Sequence, residues 1–108
     1  MRYSISYYSE KVEAEIRGWP PGVRASYLGI IERIAEHGPH LGLPYTRPLG
    51  HGLFEIRAHG PEGAGRAFFC TLVGQRIVIL HTLIKKTQRT PPADLRIARR
   101  RLQELQNG

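Results

Sequence analysis

Three charged side chains alternate along one predicted strand, and together with a fourth they could bind an anion. Glu55, Arg57 and His59 occupy every second position, so they share one face of that strand. A short glycine-rich turn would bring Arg66 of the next strand opposite Arg57. Two facing arginines repel each other, unless an anion lies between them or Glu55 screens them. Two hypotheses stay open: a phosphate clamp, or an exposed sheet face that is simply basic.

Further candidates follow in the most apolar segment and directly after it. Lys85 and Lys86 come at its end, where they could supply cations at the rim of a sheet, although a lysine pair is more typical of plain surface. His81 lies inside the segment, and strict alternation predicts that it shares a face with Ile77 and Ile79. It is then either a core histidine or a group for acid–base catalysis.

Some kinds of site are not indicated by the sequence. The other histidines match no Cys/His zinc spacing, and no glycine loop of the Walker type is present. We therefore expect no metal and no cofactor. Cys70 is the single cysteine of the chain, so an internal disulfide is excluded, and we expect it to pack in the core. Tyr3 and Tyr45 are either stacking platforms for bases or packing residues.

The charge balance favours a polyanionic partner. The 108 residues carry a net charge of +7, with 13 arginines and 3 lysines. Residues 55–108 contain ten basic and four acidic residues, a net of +6, whereas residues 1–54 contribute only +1. Such asymmetry indicates nucleic-acid or ribosome binding, or a solubilising surface. No apolar run is long enough for a membrane span and the N-terminus has no signal-peptide pattern, so we expect a cytoplasmic protein without a membrane partner.

The first half of the chain predicts one strand and two helices. Residues 3–8 alternate as a strand does, and Ser9 is a suitable N-cap for a helix that ends at Pro20-Pro21-Gly22. A second apolar stripe runs from Val23 to Ile34, and Gly38-Pro39 ends that helix. Because the break between the helices is short, we expect a helical hairpin.

The second half predicts a three-stranded antiparallel meander and a last helix. Residues 39–52 are rich in proline and turn residues, so we expect an irregular connection. The strands are predicted at residues 53–59, 66–73 and 76–84. Thr90 is the expected N-cap of the final helix, whose inward side chains are Leu95, Ala98, Leu102 and Leu105. The order β-α-α-β-β-β-α indicates a single α+β domain over residues 1–108.

Three segments together resemble a known family. Residues 49–57 (LGHGLFEIR) are similar to a leucine, glycine, aromatic, glutamate and arginine segment of the phage-derived HigB-like toxins, a group of the RelE superfamily of type II toxin–antitoxin systems. Arg66 with the aromatic residues after it resembles the family's next strand. Residues 77–91 (IVILHTLIKKTQRTP) are similar to its most specific stretch. The resemblance covers essentially the whole chain in order.

The resemblance implies a fold, an activity and partners. The fold would be the RelE-like twisted antiparallel sheet with packed helices. The activity would be ribosome-dependent endonucleolytic cleavage of messenger RNA, with the ribose 2′-OH attacking the adjacent phosphate without a metal. The partners would be a cognate antitoxin, often a helix-turn-helix protein, and mRNA on the ribosome, with DNA bound only indirectly through the antitoxin.

Site roles can be carried over residue by residue. Arg57 and Arg66 would hold the scissile phosphate, and Lys85 and Lys86 would stabilise its charge. Arg89 would add to RNA binding. Glu55 is either a base or a residue that orients Arg57, and His81 is a candidate acid.

The chain also departs from the family pattern. Many relatives carry a lysine near Gly50, where His51 would be the substitute, and Leu83 stands where an aromatic residue is usual. Two alternatives to the nuclease therefore stay open: a basic module that binds RNA or the ribosome without cutting, and an attenuated toxin that acts only through its antitoxin interface.

Overall fold

The elements of the protein were obtained from a computed structural model that describes residues 2–85 and 89–107. Three helices and five strands follow in chain order: β1 (Ser4–Tyr7), α1 (Glu10–Arg17), α2 (Pro21–His37), β2 (Thr46–Gly50), β3 (Leu53–Gly60), β4 (Gly63–Leu72), β5 (Arg76–Lys85) and α3 (Pro92–Asn107). The α+β class is confirmed, and so is the predicted order apart from β2, which is additional. Within the described residues, no helix is both long and apolar enough to cross a membrane.

All five strands form one sheet in the order β1-β5-β4-β3-β2. The meander of β3, β4 and β5 is antiparallel, as predicted. β1, however, pairs with β5 in parallel, so the sheet is mixed and the expectation of a purely antiparallel sheet is wrong at this edge. A parallel pair needs a long crossover, and the chain between β1 and β5 supplies it.

Each face of the sheet is covered by its own apolar cluster, because side chains alternate between the faces along each strand. The cluster under α1 and α2 contains Tyr27 and Phe69, both fully buried. The cluster under α3 contains Phe68, together with Ala98 and Leu102 of the helix. The predicted inward face of α3 is confirmed. α1 and α2 pack mainly on the sheet rather than on each other, which corrects the expected helical hairpin.

Two predicted connections differ from the structure. Residues 39–52 contain β2, which pairs with β3 across a short turn at His51. The glycine-rich stretch 60–65 is mostly strand, because Gly60 pairs with Gly63 and only Pro61 and Glu62 form the turn. Glycine and proline content suggested longer loops, but both hairpins close in two residues.

The helix starts also follow local chemistry. The Ser9 hydroxyl accepts a hydrogen bond from the Val12 amide at 3.3 Å, so the predicted N-cap of α1 is confirmed. The predicted N-cap of α3 is wrong. That helix begins at Pro92, directly after Pro91, and the hydroxyl of Thr90 donates to Glu55 Oε2 at 3.3 Å.

A β-bulge in β5 changes which face His81 occupies. Phe69 pairs with Ile79 but Phe68 pairs with His81, so Leu80 has no opposite residue. The extra residue inverts the alternation beyond it. His81 therefore lies beside Phe68, on the α3 face, and not on the face of Ile77 and Ile79. The predicted face was wrong because strict alternation cannot anticipate a bulge.

Candidate anion-binding site

The predicted pairing of Arg57 with Arg66 is confirmed. The two residues lie directly opposite each other on β3 and β4, and both belong to the α3 face of the sheet. Glu55, two residues before Arg57, lies on the same face. Three of the predicted site residues are thus brought together by the β3–β4 hairpin alone.

Glu55 is the centre of this arrangement. Its carboxylate is completely buried. Oε1 accepts from Arg57 Nη1 at 3.0 Å and lies 3.4 Å from Nη2 of Arg47, while Oε2 accepts from the Thr90 hydroxyl. Arg66 Nε lies 3.9 Å from Oε1. We call Arg47, Glu55, Arg57 and Arg66 the Glu55 cluster; it holds three cations around one anion.

Arg66 carries an unused donor inside the protein. Its side chain is only 4% exposed. Nη1 donates to the carbonyl oxygen of Gly65 at 2.9 Å, but Nε is buried and has no hydrogen-bond partner within residues 2–85 and 89–107. Burial lowers the pKa of Arg66, and the charge of Arg57 lowers it further. A buried donor without a partner is costly, and an anion bound here would satisfy it.

Lys85 and His59 lie within the electrostatic reach of the same charges. Burial lowers the pKa of Lys85, and Arg66 adds to that shift. Burial likewise lowers the pKa of His59, followed by the charges of Arg66 and Arg57. Lys85 and His59 both pair with Ala64 of β4, so they border the Glu55 cluster on the same face. Lys85 is the end of β5, where a cation at the rim was predicted.

His81 is on the face of the cluster but has a different partner. Its Nε2 lies 2.6 Å from Asp94 Oδ1 at the start of α3, and its ring stacks on Phe68 with centroids 6.2 Å apart. His81 pairs with Phe68, which in turn pairs with Glu55. Two strand spacings separate its backbone from that of Glu55, about 10 Å. His81 is thus an oriented histidine beside the cluster rather than a member of it.

The remaining predicted residues are more distant or cannot be placed. Arg89 is exposed, next to Thr90. Lys86 lies outside the described residues. His51 is exposed in the β2–β3 turn, which lies about 16 Å along β3 from Arg57. It therefore does not replace a cation at the cluster.

Two residues of the site were missed by sequence reasoning. Arg47 is paired with Glu55 across β2 and β3, and Thr90 approaches the carboxylate from the segment before α3. Arg47 was overlooked because its segment was expected to be irregular. The signal available was the glycine pair around His51, which is typical of a tight hairpin turn and would have placed a strand before β3.

The arrangement has the chemistry of a phosphate-binding site. Three guanidinium groups surround one buried carboxylate and Lys85 lies near them, which leaves positive charge in excess. Guanidinium groups bind phosphate oxygens in a bidentate manner. No three His, Cys, Asp or Glu side chains come together as a metal site anywhere in residues 2–85 and 89–107.

Known proteins share this fold. A mutant of the E. coli toxin RelE in the free state is similar with a TM-score of 0.68 at 12% identity, over 94% of this chain and 99% of that one. RelE of the RelE–RelB complex from Pyrococcus horikoshii OT3 is similar with a TM-score of 0.58 at 17% identity, over 80% and 98% of the two chains. No curated protein sequence matches.

The expected RelE fold is thereby confirmed. The sequence comparison goes one step further, since the family described as phage-derived Gp49-like protein (DUF891) matches residues 14–103. That range includes α2, the whole β2–β5 sheet region and most of α3, and therefore every described member of the Glu55 cluster. The chain belongs to the phage-derived Gp49-like family and has the fold of the RelE toxins.

Proposed function

We propose that the protein is the toxin of a type II toxin–antitoxin system and that it cleaves messenger RNA on the ribosome. The family membership and the RelE fold support the toxin assignment. The observation that carries the nuclease assignment is the Glu55 cluster with its unpartnered donor on Arg66. This is the arrangement that a scissile phosphodiester would complete, and it lies on the sheet face bordered by Lys85.

In the proposed reaction, the ribose 2′-oxygen attacks the adjacent phosphorus while its proton is removed. The bond from phosphorus to the 5′-oxygen of the next nucleotide breaks, and that oxygen receives a proton. The products are a 2′,3′-cyclic phosphate and a 5′-hydroxyl. Arg57 and Arg66 bind the non-bridging oxygens, whose charge grows in the transition state. Arg66 Nε is buried, so it would form this bond only once the substrate phosphate uncovers it.

Glu55 is assigned a positioning role. Its two oxygens already accept hydrogen bonds from Arg57 and Thr90, and its side chain has no exposed surface. A base must come within hydrogen-bond distance of the proton that it removes, and a fully enclosed carboxylate does not. Holding Arg57 in place is the function that these contacts support.

Lys85 is assigned to the charge on the phosphate and to proton transfer. Its pKa is lowered by burial and by neighbouring arginines, so a neutral amine is more accessible than in a free lysine. His81, oriented by Asp94, is the second candidate for proton transfer. Arg89 is exposed and would extend the basic rim along which RNA lies, and Lys86 stays a proposed RNA-binding residue.

The nuclease assignment is tested by translating a defined mRNA with purified components and mapping RNA 5′ ends by primer extension. We expect cuts within the ribosomal A site. A matched mRNA with a 2′-deoxynucleotide at the mapped cut should resist cleavage there, because the nucleophile is missing. Translation that stops while the RNA stays intact would contradict the nuclease and favour a module that binds without cutting.

We also propose a cognate antitoxin, expected to be of the helix-turn-helix type. The P. horikoshii RelE in the comparison was solved in complex with RelB, which supports a protein partner for this fold. The test is co-expression with the product of the adjacent short reading frame. The antitoxin should restore growth and co-purify with the toxin. The action on translating ribosomes implies a cytoplasmic location.

A further inference from the structure

A groove lies between α2 and the edge of the sheet, next to the Glu55 cluster. It has a volume of about 280 Å³, and its walls come from one face of α2, the end of the loop before β2, and two residues of β3, Arg57 and His59. It exists because β2 begins only at Thr46, opposite Ile56, so no strand pairs with Arg57 and His59 on this side of β3. The Arg57 amide donates to the Tyr45 carbonyl oxygen at 2.8 Å.

The walls of the groove combine flat, apolar and cationic surfaces. The Arg33 guanidinium lies 4.7 Å from the ring centroid of Tyr45, and Ile30 and Pro44 add apolar surface. Aromatic rings and guanidinium planes are the groups on which unpaired bases stack. The sequence left Tyr45 open as a stacking platform or a packing residue; it packs partly against the core and also lines the groove.

Arg57 joins the groove to the cluster. Arg57 is one of the residues that line the groove, and its Nη1 lies 3.0 Å from Glu55 Oε1. One residue thus borders both the space for a phosphate and the space beside it. A ribose links each phosphate to its own base. A nucleotide whose phosphate is bound at Arg57 would therefore have its base within reach of Tyr45.

Gly29 keeps the floor of the groove open. It lies within α2, yet a Cβ atom placed on it would meet no atom within 4 Å. Glycine in a helix interior is unfavourable relative to alanine, and packing does not require it at this position. A side chain longer than methyl would project into the groove.

His59 supplies a polar edge. Its backbone amide donates to the Ser26 hydroxyl at 3.0 Å, which fixes the end of β3 against α2. Burial and the arginines lower the pKa of its imidazole, which favours the neutral ring. A neutral imidazole has one donor and one acceptor, which suits the edge of a base.

We propose that this groove binds one base of the RNA, the base adjacent to the phosphate held by the Glu55 cluster. The inference rests on the proposed nuclease function and names a second subsite for its substrate. The groove would then contribute to which nucleotide sequence is cut, since it contacts the base rather than the backbone.

The test is an NMR titration of ¹⁵N-labelled protein with a dinucleotide whose 2′-hydroxyls are methylated, so that it cannot be cleaved. Two analogues, each lacking one of the two bases, serve as matched probes. Removal of one particular base should weaken binding about tenfold, as expected for the loss of one stacked base. The affinity of Gly29→Leu for the complete dinucleotide should be as low as the affinity of the wild type for the analogue that lacks this base. Ala14→Leu, the same kind of addition on the exposed face of α1, should leave affinity unchanged.

The other outcomes separate the two proposals. Unchanged affinity of Gly29→Leu for the complete dinucleotide would overturn the base subsite. Equal affinity of the wild type for all three probes would also overturn the base subsite. If Arg66→Ala then abolished binding of every probe, the phosphate site would still be supported. Failure of the wild type to bind any probe would contradict both the subsite and the phosphate site.

Discussion

At the scale of single residues, the site depends on one buried carboxylate. Glu55 is surrounded by three arginines and has no contact with solvent. Without it, Arg57 and Arg66 would face each other across neighbouring strands with no anion between them. Glu55 therefore allows the protein to fold with its cations converged before substrate arrives, and the excess positive charge remains for a phosphate.

Glu55→Gln should lower the free energy of unfolding by about 3 kcal/mol, because removing one partner of a buried ion pair leaves the others uncompensated. Added sulfate should restore part of this loss, and it should stabilise the variant more than the wild type, since an anion bound to the folded state shifts the equilibrium. Urea unfolding with and without sulfate measures both effects. Glu32→Gln, on the exposed side of α2, is the control. Equal sulfate effects in variant and wild type would contradict the account.

Much of this residue-scale picture could be predicted. Alternation along β3 and a short turn are enough to place Glu55 and Arg57 on one face and Arg66 opposite. Thr90 was not predictable as a ligand of Glu55, because its contact depends on the path of the chain between β5 and α3 and not on any local periodicity. Arg66 Nε could be recognised as unpartnered only from three-dimensional packing.

At the scale of elements, two local features decide what the site contains. The bulge at Leu80 moves His81 to the α3 face, beside Phe68 and within reach of Asp94. The short β2 brings Arg47 to Glu55 and, because it begins only at Thr46, leaves the groove beside Arg57 and His59. Neither a bulge nor a five-residue strand containing proline has a strong periodic signal, so both escaped the sequence analysis.

The packing of the helices on the sheet predicts opposite effects for two glycines. A Cβ on Gly65 would lie 2.8 Å from two ring atoms of Trp19 and 3.0 Å from Val23, so Gly65→Ala should destabilise the protein by about 1–3 kcal/mol. Gly29→Ala meets nothing and should stabilise α2 by about 0.5–1 kcal/mol. Thermal unfolding of both variants checks this pair. A stable Gly65→Ala protein would show that Trp19 does not pack against β4 as described.

At the scale of the whole molecule, the sheet divides the protein into a side for packing and a side for substrate. α1 and α2 cover one face with an apolar cluster, and the groove lies at the β3 edge of that cover. α3 covers only part of the other, where apolar packing around Phe68 gives way to the Glu55 cluster. Most of the net charge of +7 comes from residues 55–108, which include three of the four cluster residues and all of α3. The half of the sequence with the larger positive charge is thus the half that contains most of the Glu55 cluster.

The core also predicts how stability depends on pH. Burial raises the pKa of the Cys70 thiol from 9.0 to about 11. Between these values the folded state keeps a proton that the unfolded state releases. The stabilisation is therefore fully present below pH 9 and is lost as the pH rises towards 11, by about 2–3 kcal/mol. Urea unfolding at pH 8 to 10.5 should show a steeper decline for the wild type than for Cys70→Ala. Parallel curves would contradict a buried thiol at this position.

The central claim is that the Glu55 cluster binds the phosphate at which the RNA is cut. The most direct test is the single-turnover cleavage rate on mRNA-programmed ribosomes for the wild type, Arg66→Ala and Arg76→Ala. Arg76 is exposed at the opposite end of the sheet. Its substitution by alanine removes the same charge without touching the cluster. We predict that Arg66→Ala lowers the rate at least about hundredfold while remaining folded, and that Arg76→Ala cuts like the wild type. A folded Arg66→Ala protein that cleaves at the rate of the wild type would contradict the claim.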